Sequence, residues 1–176
     1  MLFRSVSGKN LFPSNIQGLP TWYEIRVNKD GHTARALDYD LIIAMNSQTY
    51  AKDVAEVREG GYLLYDSTWP LDPHLRRDDI TILGIPFSHM CNESFGESRE
   101  RILMKNIAYA GALVAMLDVD MDVVQQLLDE KFATKKALRE SNLKALRLGY
   151  DYAKENFTCP LPFRLEKMDA NGDKIL

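Results

Sequence analysis

The chain has few of the residues that mark common chemistries. It has two cysteines, Cys91 and Cys159, and three histidines in 176 residues. Two thiols cannot ligate an iron–sulfur cluster or build a disulfide framework, and they fit a reducing, cytoplasmic setting. No apolar run approaches the roughly 20 residues of a membrane span, and the start lacks the apolar core of a secretory signal. Net charge is −3, and no basic stripe with interleaved aromatics is present, which argues against nucleic acid as a partner. There is no Walker loop, no G-x-G-x-x-G, no nucleophile elbow and no histidine-bearing metal motif.

What is present is an ordinary globular composition, 45% apolar and 27% charged, enough for one domain with a real core. Its most ordered stretch is Asp40 to Ser67. Leu41 to Met45 is an unbroken apolar run ending at Asn46, and Tyr62 to Tyr65 is another ending at Asp66. Continuous apolar runs suit strands covered on both faces. The stretch between them reads as a helix opened by Ser47 and Thr49 and ended by Gly60-Gly61, which predicts a βαβ unit. Ligands of such sheets bind beyond the carboxyl ends of the strands, where Asn46 and Asp66 sit. Helix and loop capping explain both residues equally well.

Around this unit, Thr21 to Val27 alternates as a strand, with Asp30-Gly31 as a turn and His32 to Ala36 as its return strand. Ile80 to Ile85 is a further apolar strand, and Phe87 to Ser98 a loop or short helix. Three helices follow: Arg99 to Leu117 with Ser98 as N-cap, one capped by Asp120, and one over Lys136 to Asn156. The fold class is therefore α/β: a Rossmann-like three-layer domain with a mostly parallel sheet whose first strand is missing, and a C-terminal helical extension.

Several constellations have plainer explanations. Asp118, Asp120 and Asp122 are spaced like a calcium loop, but Val123 stands where glycine is needed, and capping is favoured. Asp169, Asn171 and Asp173 read as an Asx-type turn. His89 and Cys91 lack metal or nucleophile spacing and read as a loop histidine and a packed thiol. No metal ligand and no catalytic residue is assigned. Asn15, within Pro13-Ser14-Asn15, presents an amide from a turn that could equally be a ligand clamp. Trp69 reads as an aromatic lid or an interface anchor.

Three stretches together resemble the gamma subunit or gamma domain of the 2-oxoacid:ferredoxin oxidoreductases: FPSNIQGLPTWYEIRV, DLIIAMNSQTYAKDVAEVREGGYLLYDS, and KNIAYAGALVAML followed by NLKALRLGYDYA. The matching positions are Asn46, Gly60, Gly61, Tyr65 to Ser67, Asn106, Gly111, Ala112, Asn142, Ala145, Gly149 and Tyr150. The variant G-L-P-T-W-Y-E looks most like fused alpha subunits acting on 2-oxoglutarate. The resemblance implies a component of a complex that oxidatively decarboxylates a 2-oxoacid to an acyl-CoA. Thiamine diphosphate, iron–sulfur clusters and coenzyme A are expected in the complete complex, with none bound by this chain on its own. Expected partners are a thiamine-binding beta subunit, an alpha domain and ferredoxin. Asn15, Asn46, Asp66 and Asn106 are the residues expected to line or shape the site, with Asn106 bonding backbone inside the domain. The alternatives are a non-catalytic assembly module and a generic nucleotide-binding domain.

Family members open with a strand and a G-x-G-G-Q-G turn. On that resemblance residues 1–11 read as an artefactual or truncated start, 12–168 as the gamma-type domain, and 169–176 as the start of a linker toward an alpha domain. The DNA flanking the reading frame is where both ends are checked.

Overall fold

The computed structural model describes residues 5–11, 20–28, 32, 34 and 38–162. The chain divides into two compact units, Met1–Ala36 with Pro162–Leu176, and Leu37–Leu161.

The first unit contains a two-stranded antiparallel ribbon of β1 (Ser5–Leu11) and β2 (Trp22–Asn28). The alternating aromatic strand is thus as expected, but its partner differs. β2 pairs with the preceding residues 5–11, while His32 and Ala34, the described residues of the expected return strand, lie outside any strand. Gly8 suits this pairing. A Cβ there would come 2.9 Å from Cζ of Tyr23, so the bare position lets that ring lie over the strand as it does.

The second unit is built on a parallel sheet of β3 (Tyr39–Ala44), β4 (Val57–Asp66) and β5 (Thr81–Ile85), in the order β3-β4-β5. A short 3₁₀ turn, Ser47–Thr49, and α1 (Tyr50–Glu56) connect β3 to β4. The predicted βαβ unit is present, with one correction: Gly60-Gly61 does not end the helix. The helix stops at Glu56, and the glycines lie inside β4, where the register jumps from Tyr39 opposite Val57 to Leu41 opposite Tyr62. Gly60 adopts a left-handed φ of 71° there. A Cβ on Gly61 would sit 2.9 Å from the Arg58 carbonyl oxygen and 3.1 Å from that of Asp40. The glycines serve an irregular strand entry, which their type alone does not distinguish from a helix stop.

Period-two alternation divides the strands into two sets. Ala44 and Leu63 join Tyr50, Val54, Val57, Leu71 and Ile80 in a core beneath α1, with Ile42, Tyr65 and Ile82 packed against it. Leu64, Asp66 and Ile85 belong to the other face and are completely buried. There α3 reaches the sheet, its Tyr109 hydroxyl donating to the Ala44 carbonyl at 3.3 Å.

Four helices follow β5: α2 (Phe87–Ser94), α3 (Ser98–Met116), α4 (Met121–Lys131) and α5 (Lys136–Asn156). α5 has the bounds predicted, and Asp120 caps α4, accepting from the Asp122 amide at 2.9 Å. The N-cap of α3 is Glu97, with Ser98 its first residue. Among the described residues no helix is long and apolar enough to cross a membrane.

α3 and α5 cross with their backbones nearly touching. A Cβ on Gly111 would overlap the Leu146 carbonyl and lie 3.1 Å from the Tyr150 amide nitrogen. A Cβ on Gly149 would overlap the Ala108 carbonyl and lie 3.0 Å from the Ala112 nitrogen. Each glycine thus removes the side chain that would separate the helices, and Ala108, Ala112, Ala115, Ala145 and Ala153 bury the same slim faces. Gly111→Ala and Gly149→Ala are each expected to cost about 3 kcal/mol or more, since rigid backbone must move. Gly96→Ala, with nothing within 4 Å of its Cβ, is expected to be neutral within about 0.5 kcal/mol. Denaturant midpoints of the three variants check this.

Candidate functional site at the carboxyl edge of the sheet

The register places the ends of the three strands side by side. Ala44 lies opposite Tyr65, and Asp66 opposite Ile85. The residues that leave the sheet here, Met45-Asn46, Asp66 to Trp69 and Pro86 to His89, therefore share one edge.

Asp66 is its centre and is fully buried. Its carboxylate accepts from the Thr68 amide at 3.1 Å, the Ser88 amide at 3.2 Å and the Ser88 hydroxyl at 2.5 Å. Lys105, from α3, places Nζ 3.7 Å from Oδ2 and donates to Ser88 Oγ at 3.3 Å. A carboxylate at the start of α2 is favoured by the helix dipole, and the buried charge is both paired and hydrogen-bonded. The next turn is fastened too, with the His89 amide donating to Thr68 Oγ1 at 3.1 Å.

Three buried protic groups surround this carboxylate. The Tyr50 hydroxyl donates to the Asp66 carbonyl at 3.1 Å. Burial, then the Asp66 charge, pushes Tyr50 up to about 12. Tyr109, stacked on Phe87 at 3.9 Å, is raised by the same causes. Burial pushes the Cys91 thiol up to about 11, with Lys105 opposing. All three are therefore neutral near pH 7.

The four residues singled out by sequence have separate fates. Asp66 is buried and shapes the edge from within. Asn46 is exposed at the end of β3 and caps the following turn, its Oδ1 accepting from the Gln48 amide at 3.0 Å. Asn106 is exposed on α3, and the backbone-bonding role expected of it belongs to buried Asn142, whose Nδ2 donates to the Leu138 carbonyl at 2.7 Å. Asn15 lies outside the described residues. Ser88 and Lys105 were not anticipated, because nothing local ties them to Asp66 across 22 and 39 residues. The available signal was Pro86-Phe87-Ser88, a third strand end beside the other two.

His89 and Cys91 do not meet. The imidazole is exposed beside Glu93 at 3.4 Å, and the thiol is buried. Among the described residues no group of three or more histidine, cysteine or acidic side chains could hold a metal. Trp69 is 55% exposed, in a turn held by its amide bond to the Asp66 carbonyl at 3.1 Å. The edge thus offers a fixed floor, a free indole and the Asn46 amide, and its one buried carboxylate is saturated by internal donors.

Removing that carboxylate tests how much the edge depends on it. Asp66→Ala is expected to cost about 3 kcal/mol or more, because Lys105, the Thr68 amide and the Ser88 amide and hydroxyl lose their partner. A larger loss than in Lys105→Met, measured by denaturant unfolding, is the expected order.

A second expectation concerns alkaline pH. Cys91 and Tyr50 hold their protons to about 11 and 12 in the fold, against ordinary values of 9.0 and 10.0. Between those values the folded chain binds more protons than the unfolded one, so stability falls as pH rises from about 9 to about 12. Unfolding midpoints should be flat between about pH 7 and 8, and Cys91→Ala should remove the early part of the decline.

The family model described as pyruvate ferredoxin/flavodoxin oxidoreductase matches residues 4–152. The 2-oxoacid:ferredoxin oxidoreductase 2 subunit alpha of Aeropyrum pernix is 23% identical over 197 residues, covering 91% of this chain and 31% of that protein. The 2-oxoglutarate:ferredoxin oxidoreductase of Magnetococcus marinus, solved with 2-oxoglutarate, coenzyme A and succinyl-CoA bound, superimposes with a TM-score of 0.78. It is 23% identical, and the match covers 92% of this chain and 28% of that one. A keto/oxoacid ferredoxin oxidoreductase gamma subunit from Geobacter sulfurreducens gives a TM-score of 0.66 at 20% identity, over 85% of this chain and 80% of that one. The chain therefore spans under a third of the first two and most of the third.

Proposed function

We propose, for a chain that belongs to the pyruvate ferredoxin/flavodoxin oxidoreductase family and has its gamma-type fold, that it serves a complex converting a 2-oxoacid and coenzyme A to an acyl-CoA, with 2-oxoglutarate the favoured substrate. The observation that carries this reading is the sheet edge itself: Asp66, Ser88 and Lys105 fasten it from beneath, while Asn46 and Trp69 stand exposed above. This is where a parallel α/β sheet receives a ligand. The Magnetococcus protein, described as holding 2-oxoglutarate and coenzyme A, supports the choice of substrates.

The chain's own residues suit one part of that chemistry. Two cysteines, one of them buried, do not fit an iron–sulfur cluster, and no described carboxylate group fits the metal that would hold a diphosphate. On this reading thiamine diphosphate and the clusters are held by other domains of the complex, with ferredoxin taking the electrons. Coenzyme A is the group this edge would meet. Its phosphates have no seat at the start of α2, because Asp66 already takes the Ser88 amide. Asn46 and Asn106 on the surface, together with Asn15, are the polar contacts we assign to the coenzyme A side. Asp66 is a positioning residue, and this chain alone carries no catalytic residue.

Exposed Ile102 and Leu103 on α3, with Val123 and Leu127 on α4, favour a second role for the helical part, docking to the alpha and beta portions.

The assembled oxidoreductase separates the two. With dye reduction dependent on 2-oxoacid and coenzyme A, Asn46→Ser keeps the cap but shortens the contact. It is expected to raise the KM for coenzyme A several-fold with kcat and assembly unchanged. An unchanged KM with intact assembly favours the docking role alone, and no reduction with any 2-oxoacid overturns the reading.

A further inference from the structure

Tyr65 precedes Asp66 and so faces the opposite side of the sheet. On that side lies a shallow open cavity of about 220 Å³, lined by Tyr65, Leu71, Arg76, Ile82 and Gly84. Its floor follows from the register, since Leu63 pairs with Ile82 and Tyr65 with Gly84. Gly84 is bare because Tyr65 and Ser67 press against it, each 3.0 Å from where its Cβ would stand. A glycine inside a strand marks such a close approach, and it leaves the edge strand without a side chain at this point. The loop between β4 and β5 supplies the wall, with Leu71 buried and Arg76 exposed.

The two neighbouring arginines of that loop are used differently. Arg77 is saturated: Nε and Nη2 meet Asp79 at 2.9 and 2.5 Å, and Nη1 donates to the Val54 and Val57 carbonyls at 2.8 Å each. It ties the loop to the end of α1. The nearby Asp72 is engaged with the His74 amide at 2.9 Å. Among the described residues the Arg76 guanidinium has no ion-pair or hydrogen-bond partner, although its backbone amide closes a turn onto Pro73. Arg76, which carries a planar five-donor fork, therefore lines a cavity whose other walls are an aromatic ring and two aliphatic side chains.

We propose that this cavity binds a small organic anion. The Arg76 fork takes its carboxylate or phosphate, and its flat or apolar body lies on Tyr65, Leu71 and Ile82. The volume is below the range of about 300–1,000 Å³ typical of drug-sized ligands, so it suits a short dicarboxylate, or the phosphorylated end of a larger molecule whose remainder stays outside. The site shares no residue with the Asp66 edge and does not rest on the role proposed for it.

Titration calorimetry on the purified chain tests this with inorganic phosphate, 2-oxoglutarate, pyruvate, coenzyme A and dephospho-coenzyme A. At least one probe should bind saturably. Arg76→Gln should weaken it about tenfold or more with an unchanged circular dichroism spectrum, and Arg76→Lys by less. Arg147→Gln makes the same charge change at an exposed position on α5 and should bind like the wild type. A preference for 2-oxoglutarate over pyruvate assigns the fork to a distal carboxylate; one for coenzyme A over its dephospho form assigns it to the 3′-phosphate. The proposal is overturned if no probe binds saturably, leaving only a hydrated arginine, or if Arg76→Gln binds as tightly as the wild type.

Discussion

The second unit depends on a charge that has no access to water. Asp66 ends the central strand, and an unpaired carboxylate there would be prohibitively costly to bury. The surrounding elements are arranged to meet that demand. α2 begins where its Ser88 amide can reach the carboxylate, the turn after β4 folds back to supply the Thr68 amide, and α3 brings Lys105. The same residue fixes Tyr50 through its main-chain carbonyl, so one position ties α1, α2 and α3 to β4. Much of this arrangement yields little net stability, because desolvation offsets the attraction. What it secures is uniqueness: a shift of β4 by one residue would send Asp66 to the opposite face and leave Lys105 unpaired.

That pairing relies on how closely α3 approaches α5. Lys105 and Tyr109 lie one turn apart on α3, and they reach the ends of β4 and β3 respectively. Gly111 and Gly149 let the two helices press together at the level of Ala108 and Leu146. A wider crossing would displace the turn of α3 that carries Lys105 and Tyr109. Close helix packing and the buried ion pair are thus one constraint seen at two distances from the sheet.

The legible parts of the sequence were those whose signal is local. The apolar runs before Asn46 and Asp66, the 21-residue pattern of α5 and the Asp120 cap all announce themselves within a few residues. Gly60-Gly61 was misread because a glycine pair after a helix is compatible with a helix stop. Here it serves a register jump set by a strand 20 residues away. β1 was missed because Ser-Val-Ser-Gly-Lys-Asn-Leu carries only two large apolar side chains, and its partner strand lies across an intervening segment. The carboxyl edge was legible as a place but not as a mechanism. Strand ends can be counted in sequence, whereas the donors that satisfy Asp66 come from elements brought together only by the fold.

The two faces of the β4 terminus follow opposite logic, and this separates structural from receptive groups. On the Asp66 side the Ser88 amide and hydroxyl are consumed internally, so a phosphate arriving at the start of α2 would have to displace a buried carboxylate already holding a 2.5 Å hydrogen bond. On the Tyr65 side Arg77 is consumed in the same way, and Arg76 is not. Internal hydrogen bonds and ion pairs mark Asp66, Lys105 and Arg77 as groups that hold the scaffold. Exposure on that rigid scaffold marks Asn46, Trp69 and Arg76 as groups able to meet something else. An ionisable residue at a strand end is therefore weak evidence of a ligand by itself. The distinction lies in whether its hydrogen-bonding capacity is already spent, and in this chain only the fold reveals that.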